Sequence, residues 1–284
     1  MNSADTSAAV VLRTLNEAPG LRRLLPLLRA QKPTPPHIIA VDSGSTDETL
    51  DVLSEAGVDV IQISPDEFTY GRALNLGLEQ VTEPYAALLS AHAAPRSCYW
   101  LADLLDPMIE NHAVAAVSGA INGAIPHLPG QSGPVMLTSP GQFRADPLVG
   151  LVNANAAIRM DVWRGLTFNE DLLACEDKEW TLRALSAGHT ICLTTGGDAW
   201  HEHETDSPRA LYRRGYREEL ELADLAPPTG VLRFIADVLG RPLVWFVRGT
   251  ARWIGYVAWR FGQMRGRAAA RRQARTNERT ARHQ

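Results

Sequence analysis

The chain predicts an α/β fold built on a parallel sheet with right-handed crossovers. Three observations carry that expectation. Between Val10 and Ile63, runs of β-branched and apolar residues alternate with leucines at helical spacing, the pattern of βαβ units. The first two runs end in short polar turns, Thr14-Leu15-Asn16-Glu17 and Asp42-Ser43-Gly44-Ser45, and ligands of open α/β sheets bind at such carboxyl ends. The composition is that of an ordinary globular protein, with 284 residues, 45 % hydrophobic and 21 % charged, enough to bury a core without disulfides. Cys98, Cys175 and Cys192 are scattered, odd in number and outside any CxxC spacing, so they read as reduced thiols of a cytosolic protein. Residues 1–9 lack the basic-then-apolar layout of a signal peptide.

Taken in order, Val10 to Thr14 is the first strand. Leu21, Leu24, Leu25 and Leu28 recur at helical spacing, and Pro33, Pro35 and Pro36 close that helix. His37 to Val41 is the second strand. Thr46 or Asp47 is placed to cap the next helix, with Leu50 and Leu53 on its inner face. Val58 to Ile63 is the third strand. Neither strand end carries a GxGxxG or Walker loop, so the standard phosphate cradles are absent.

Phe68 to Asn75 enters another helix, and Tyr85 to Ser90 is a fourth strand ending in Ser90-Ala91-His92. Trp100 to Ile109 is helical and Ala113 to Ala120 a strand. Residues 121–148, rich in Gly and Pro, read as a long loop or lid. Asn153 to Arg159 is a strand and Asp161 to Arg164 a turn. Asp177 to Ala187 is a helix stopped at Gly188. Thr190–Thr194 and Asp198–His201 are strands, and Ser207-Pro208 opens a helix carrying Arg213, Arg214 and Arg217.

Beyond Pro228 the texture changes. Twelve Arg stand against Asp237 and Glu278, and Trp245, Phe246, Trp253, Ile254, Tyr256 and Trp259 are interleaved with them. Arg241, Arg248 and Arg252 fall on one face of a helix. Arg248 and Arg252 argue against a transmembrane span through 242–259, since each costs about 2.5–3.5 kcal/mol near the bilayer centre. The reading is interfacial amphipathic helices with Trp and Arg at headgroup level, or otherwise a helical hairpin packed on protein. The expected organisation is a catalytic domain over 1–227, an amphipathic membrane-associating segment over 228–264 and a basic, disordered tail over 265–284. No reader module for nucleic acid accompanies the tail, and none is expected to bind.

Arg13-Thr14-Leu15-Asn16-Glu17, Val41-Asp42-Ser43-Gly44-Ser45-Thr46-Asp47, Gly71-Arg72-Ala73-Leu74-Asn75 and Glu176-Asp177-x-x-Trp180 occur in this order. Together they resemble the family 2 glycosyltransferases of the GT-A fold, over about residues 8 to 222. Phe68-Thr69-Tyr70-Gly71-Arg72, and His201-x-His203 followed by Leu211-Tyr212-Arg213-Arg214, resemble the bacterial rhamnosyltransferase-like branch. The resemblance implies a Rossmann-like mixed sheet flanked by helices. It implies an inverting transfer of sugar from a nucleotide-diphosphate donor, dTDP-rhamnose or a UDP-sugar. The acceptor would be a lipid-linked or polysaccharide glycan of the cell envelope, at the cytoplasmic membrane face.

By the same resemblance, Thr14, Asn16, Glu17, Asp42 and Ser43 would hold base and ribose. Arg72 and Asn75 would lie near the nucleotide or its diphosphate. Asp177, beside Glu176, would be the general base, because a sugar hydroxyl is a poor nucleophile until its proton is removed. Two departures stand out. Ser43 replaces the second Asp of the family's Val-Asp-Asp-Gly-Ser. The family's Asp-x-Asp metal motif is replaced by Ser90-Ala91-His92, without a carboxylate. Either His92 and His201 hold a divalent cation, or the leaving-group charge is met another way. Imidazole is a poor ligand for Mg²⁺ and an acceptable one for Mn²⁺ or Zn²⁺.

Each motif has a plainer reading. Glu176-Asp177 at a helix start is favourable charge on the helix dipole, and Asp42 is a common turn residue. The competing function is a degenerate family member that binds nucleotide or glycan without turnover.

Overall fold

The computed structural model describes residues 7–201 and 207–225, together with 261, 262, 265, 266 and 269. The chain divides into two compact units at Leu172/Leu173, Cys175/Glu176 and Glu202/His203.

The first unit opens with β1 (Ala8–Thr14), α1 (Ala18–Arg29), β2 (His37–Asp42), α2 (Thr49–Glu55) and β3 (Asp59–Gln62). A short 3₁₀ turn, Pro65–Glu67, leads into α3 (Tyr70–Glu79). Then come β4 (Tyr85–Ser90), β5 (Ala94–Pro95), α4 (Trp100–Glu110), β6 (Val114–Ser118), β7 (Val135–Leu137) and α5 (Pro140–Ala145). β8 (Asn155–Arg159), α6 (Met160–Gly165), α7 (Glu176–Ser186), β9 (Thr190–Leu193) and β10 (Ala199–Trp200) complete it.

Eight strands form one sheet in the order β3-β2-β1-β4-β8-β6-β9-β7. β1 pairs in parallel with β2 and β4, and β2 with β3. β8 runs antiparallel to both neighbours, β4 and β6, and β7 runs antiparallel to β9. The sheet is therefore mixed, as the family resemblance implied, and not wholly parallel as strand–helix alternation alone suggested. β5 and β10 make a separate antiparallel pair.

Alternation along β1 explains the layering. Val10 and Leu12 pack into the core with Leu21, Leu24, Leu25 and Leu28 of α1 and with Trp100 and Leu104 of α4. Each such leucine contributes about 1.5–3 kcal/mol on burial. Val11 faces the opposite side, where α3 lies so close that a Cβ on Gly77 would sit 2.5 Å from Val11 Cγ1.

Two segments differ from the sequence reading. Within 121–148, expected as loop, β7 and α5 form, the latter opened by a Ser139/Gln142 capping box. Residues 161–164, expected as a turn, lie inside α6. α2 is preceded by Glu48 without a side-chain cap, but Asp47 Oδ1 accepts the Thr49 N–H at 3.0 Å.

The described part of the second unit is chiefly α8 (Pro208–Leu225). Arg213 and Arg217 are exposed on it. Gly262 sits against this helix, where a Cβ would be 2.0 Å from the Tyr212 carbonyl oxygen. Among the described residues no helix is long and apolar enough to cross a membrane. The expected amphipathic segment 228–264 and basic tail 265–284 lie outside the described residues apart from the five positions named above, as does His203.

Candidate active site

The parallel strands β1, β2 and β4 end along one edge of the sheet, at Thr14, Asp42 and Ser90. The first two ends are tied together through Asp42. Its Oδ1 accepts the Gly44 and Ser45 N–H groups at 3.0 and 2.9 Å. Its Oδ2 accepts the Thr14 and Ser45 hydroxyls at 2.9 and 2.5 Å. Gly44 has φ of +95°, a conformation glycine takes without steric cost. Ser43 donates N–H and hydroxyl to the Thr14 carbonyl at 3.1 and 3.2 Å. Asn16, at φ 57°, accepts the Thr46 N–H on Oδ1 at 2.8 Å. The structure thus brings Thr14, Asn16, Asp42 and Ser43 together. Asp42 is 1 % exposed and its four acceptor positions are taken inside the turn, so it shapes this edge from beneath.

The third strand end supplies the histidines. After Ser90 the chain turns into β5, which pairs with β10 so that Ala94 faces Trp200. That pairing brings His92 and His201 side by side, with Nε2 atoms 3.1 Å apart and ring centroids 4.8 Å apart. Glu17 Oε1 lies 2.8 Å from His92 Nδ1. The approach depends on Gly20, where a Cβ would stand 2.9 Å from the Ala91 carbonyl oxygen and 3.2 Å from His92 Cα. Glu17 is therefore drawn to His92.

The expected cation site brings together His92 and His201. Among the described residues no three His, Cys, Asp or Glu side chains converge as a ligand set. The donors are two imidazole nitrogens, a set that suits Mn²⁺ or Zn²⁺ and is poor for Mg²⁺.

The carboxylate pair opens α7. Glu176 is 5 % exposed. Its Oε1 accepts Asn153 Nδ2–H at 3.1 Å and lies 3.6 Å from Arg13 Nη1. The Arg13 guanidinium also stacks over Tyr70, 4.9 Å from the ring centroid. Asp177 is only half-buried; its Oδ1 accepts the Lys178 N–H at 2.8 Å and its Oδ2 the Asn153 N–H at 3.4 Å. Of the two, Asp177 is the more accessible. Asn153 Oδ1 and Arg13 Nη1 are buried without a hydrogen-bond partner among the described residues.

Burial holds the Glu176 carboxyl above the ordinary carboxylate range; the Asp177 charge adds to this and Arg13 opposes it. The folded protein therefore holds this proton more tightly than the unfolded chain. The resulting stabilisation is complete below the ordinary Glu value, about 4.3, and is lost as pH rises through the raised folded value. Glu176→Gln keeps an acceptor for Asn153 and cannot ionise. Its stability relative to wild type should rise with pH above that range, as read by urea unfolding at a series of pH values. A pH-independent difference would contradict the shift.

Arg72 and Asn75 of α3 both pair with residues of 163–170. Asn75 is 3 % exposed. Its amide donates to the Phe168 carbonyl and to Glu170 Oε1, both at 2.9 Å. Its Oδ1 accepts the Phe168 N–H at 3.0 Å and Trp163 Nε1–H at 3.3 Å. Its donors and acceptors are used within the protein, so Asn75 clamps residues 163–170. Arg72 pairs with Glu170 at 3.4 Å and keeps an exposed flank. Gly71 belongs to the same clamp, because a Cβ there would meet the Asn169 carbonyl oxygen at 2.3 Å.

Sequence reading did not single out Arg13, Gly20 or Asn153. Arg13 stands inside the first motif and Gly20 three residues beyond it, which was the available signal; Asn153 had none.

Residues 9–165 match the family model described as Glycosyl transferase family 2. Over 197 residues the chain is 27 % identical to the O-antigen chain rhamnosyltransferase WbaN of Salmonella anatum, covering 63 % of this chain and 60 % of that one. The chain thus spans about three fifths of the length of this relative. Among solved structures, a mannosyltransferase of Pyrobaculum calidifontis in complex with GDP-Man and Mn²⁺ superposes with a TM-score of 0.59 at 16 % identity, covering 95 % of this chain and 75 % of that one. TarS 1–349 of S. aureus in complex with UDP-GlcNAc gives 0.58 at 18 % identity, covering 80 % and 69 %. At these identities the structures establish the shared GT-A-type fold.

Proposed function

The chain belongs to glycosyl transferase family 2, and from that premise we propose that it is an inverting transferase of cell-envelope glycan synthesis. It moves a sugar from a nucleotide-diphosphate donor, dTDP-rhamnose or a UDP-sugar, to a lipid-linked or polysaccharide acceptor. The observation that carries the reading is the accessible Asp177 carboxylate beside the buried Glu176, on a scaffold whose strand ends at Thr14, Asp42 and Ser90 share one edge. Similarity to a rhamnosyltransferase, and to structures solved with UDP-GlcNAc and with GDP-Man, supports the donor class.

Asp177 accepts the proton of the acceptor hydroxyl as that oxygen bonds to the anomeric carbon and the bond to the departing diphosphate breaks. Direct attack opposite the leaving group inverts the anomeric centre. Thr14, Asn16, Asp42 and Ser43 form the turn against which base and ribose lie, with Asp42 fixing its shape. The exposed flank of Arg72 is within the donor's reach in this reading. His92 and His201 would hold a divalent cation, whose chemistry is to offset the charge of the leaving diphosphate. Asn153 and Arg13 hold Glu176, and Glu176 in turn keeps the start of α7 in place under Asp177.

The twelve Arg and the aromatic residues after Pro228 support peripheral contact with the anionic inner face of the plasma membrane, where a lipid-linked acceptor would be met. Replacement of Asp-x-Asp by Ser90-Ala91-His92 is the observation that favours the second reading, binding without turnover.

The test is the anomeric configuration of the product, read by NMR after incubation with nucleotide sugars and envelope glycan acceptors. Inversion is expected. Retention would overturn the mechanism, and donor binding without any product would favour the second reading.

A further inference from the structure

We propose that Glu176 works as a neutral acid, closed in a two-hydrogen-bond ring with the Asn153 side chain, which leaves Asp177 the single anion of the pair. Glu176 is thereby a positioning residue for the transfer proposed above, and its role toward Asp177 rests on that reading.

An unfilled acceptor points to the ring. Asn153 is 4 % exposed, and its Nδ2–H donates to Glu176 Oε1 at 3.1 Å. Its Oδ1 is buried with no donor among the described residues, which a buried polar atom tolerates poorly. A carboxylate offers only acceptors, whereas a carboxylic acid carries one O–H donor. Protonated Glu176 supplies the hydrogen that Oδ1 lacks, while its other oxygen keeps the bond from Nδ2–H.

The neighbouring cations do not close on this carboxyl. An ionised carboxylate paired with a guanidinium is ordinarily met at about 2.7–2.9 Å, often through two parallel hydrogen bonds. Arg13 Nη1 stays 3.6 Å from Glu176 Oε1 and makes no hydrogen bond among the described residues. The guanidinium lies over Tyr70 of α3 instead, 4.9 Å from the ring centroid. Lys178 donates from Nζ to the Leu151 carbonyl at 2.7 Å. Burial disfavours the Glu176 anion most, and the Asp177 charge adds to it. Arg13, a backbone N–H and the Asn153 amide oppose them without prevailing.

A neutral Glu176 serves Asp177 in two ways. Asn153 also donates its backbone N–H to Asp177 Oδ2 at 3.4 Å, so the residue that closes the ring steadies the base as well. One negative charge, in place of two, also opposes an anionic nucleotide donor less. Ionisation of Glu176 sets a carboxylate oxygen against Asn153 Oδ1, opens the ring and adds the second charge. Transfer should therefore fall as pH rises through the raised Glu176 value.

Two readouts test this on the full chain. The first needs no catalysis: infrared difference spectra of wild type against Glu176→Gln at neutral pH. Wild type should carry a protonated-carboxyl C=O stretch that Glu176→Gln lacks. In Asn153→Ala this band should move to higher frequency, because the acid has lost its partner. The second is the pH profile of kcat with nucleotide sugar and glycan acceptor. Wild type should give a bell, its basic limb falling about tenfold per pH unit. Glu176→Gln keeps both hydrogen bonds of the ring and cannot ionise. It should stay within about twofold of wild-type kcat at neutral pH and lose that basic limb. Melting temperatures establish that each variant is folded. If Glu176→Gln does not fold, the band shift between wild type and Asn153→Ala decides the ring.

Absence of the Glu176 band at neutral pH would overturn the neutral acid and leave the transferase reading standing. An unshifted band in Asn153→Ala would overturn the ring. A basic limb retained in Glu176→Gln would overturn the role toward Asp177. If wild type shows no transfer, that role falls with the transferase reading, and the infrared band alone decides the acid–amide ring.

Discussion

Asp177→Asn should lower the rate of sugar transfer by about 10²–10⁴-fold, the contribution typical of a positioned general base. The substitution keeps the size of the side chain, and an amide oxygen can still accept the Lys178 N–H that now bonds Oδ1 at 2.8 Å. What is lost is the capacity to take a proton. Nucleotide affinity should therefore stay within about twofold, because among the described residues no hydrogen bond ties Asp177 to the turn built around Asp42 and a side chain acting only in the transition state leaves ground-state binding alone. Glu176→Gln is the control. Glu176 lies beneath the surface against Asn153 and Arg13, so its loss should change stability and its pH profile more than the chemical step. A variant Asp177→Asn with wild-type turnover would remove this residue from the mechanism.

The second large effect is on stability. Asn75→Ala removes an amide whose hydrogen-bonding positions are all used, and it leaves the Phe168 N–H, the Phe168 carbonyl and Trp163 Nε1–H without their partner. Each buried polar group stripped of its partner costs about 1–3 kcal/mol. Partial relaxation and non-additivity bring the expected loss to about 3–5 kcal/mol by urea unfolding. Asn75→Asp should be no milder, because it keeps the acceptor for Phe168 and Trp163 but sets a buried carboxylate oxygen against the Phe168 carbonyl and Glu170, where the amide donated. A loss below about 1 kcal/mol for the alanine variant, within the range of an ordinary surface substitution, would show that the clamp is not what holds residues 163–170.

The contrast between Asp177 and Asn75 shows what the sequence made legible. Both were conspicuous as parts of ordered motifs. The placement of Asp177 at the start of α7 follows from local pattern, because a carboxylate pair before a helical run is visible within a few residues. The job of Asn75 depends on partners 88 to 95 residues away, and nothing local announces them. The same holds for Glu17 and His92, separated by 75 residues and joined only once β1 and β4 pair. Strand ends were readable because apolar runs stop at turn residues. Strand direction was not, since β8 carries buried alanines and an isoleucine like the strands beside it and its reversal is set by the connection into it. β7 is three residues long, too short for an alternating pattern to register. α5 did carry a signal, Ser139 with Gln142 three residues later, masked by the surrounding Gly and Pro.

The central claim is that these strand ends form a nucleotide-sugar site. Its most direct test is the melting temperature of the full chain against UDP, dTDP and GDP and their sugars, each with Mn²⁺, Mg²⁺ or EDTA. A ligand bound only by the folded state at 100 times its Kd adds about 2.7 kcal/mol. A rise confined to one nucleotide family, larger with Mn²⁺ than with Mg²⁺ and reduced in EDTA, is the predicted result. No rise with any nucleotide under any of the three conditions would contradict it.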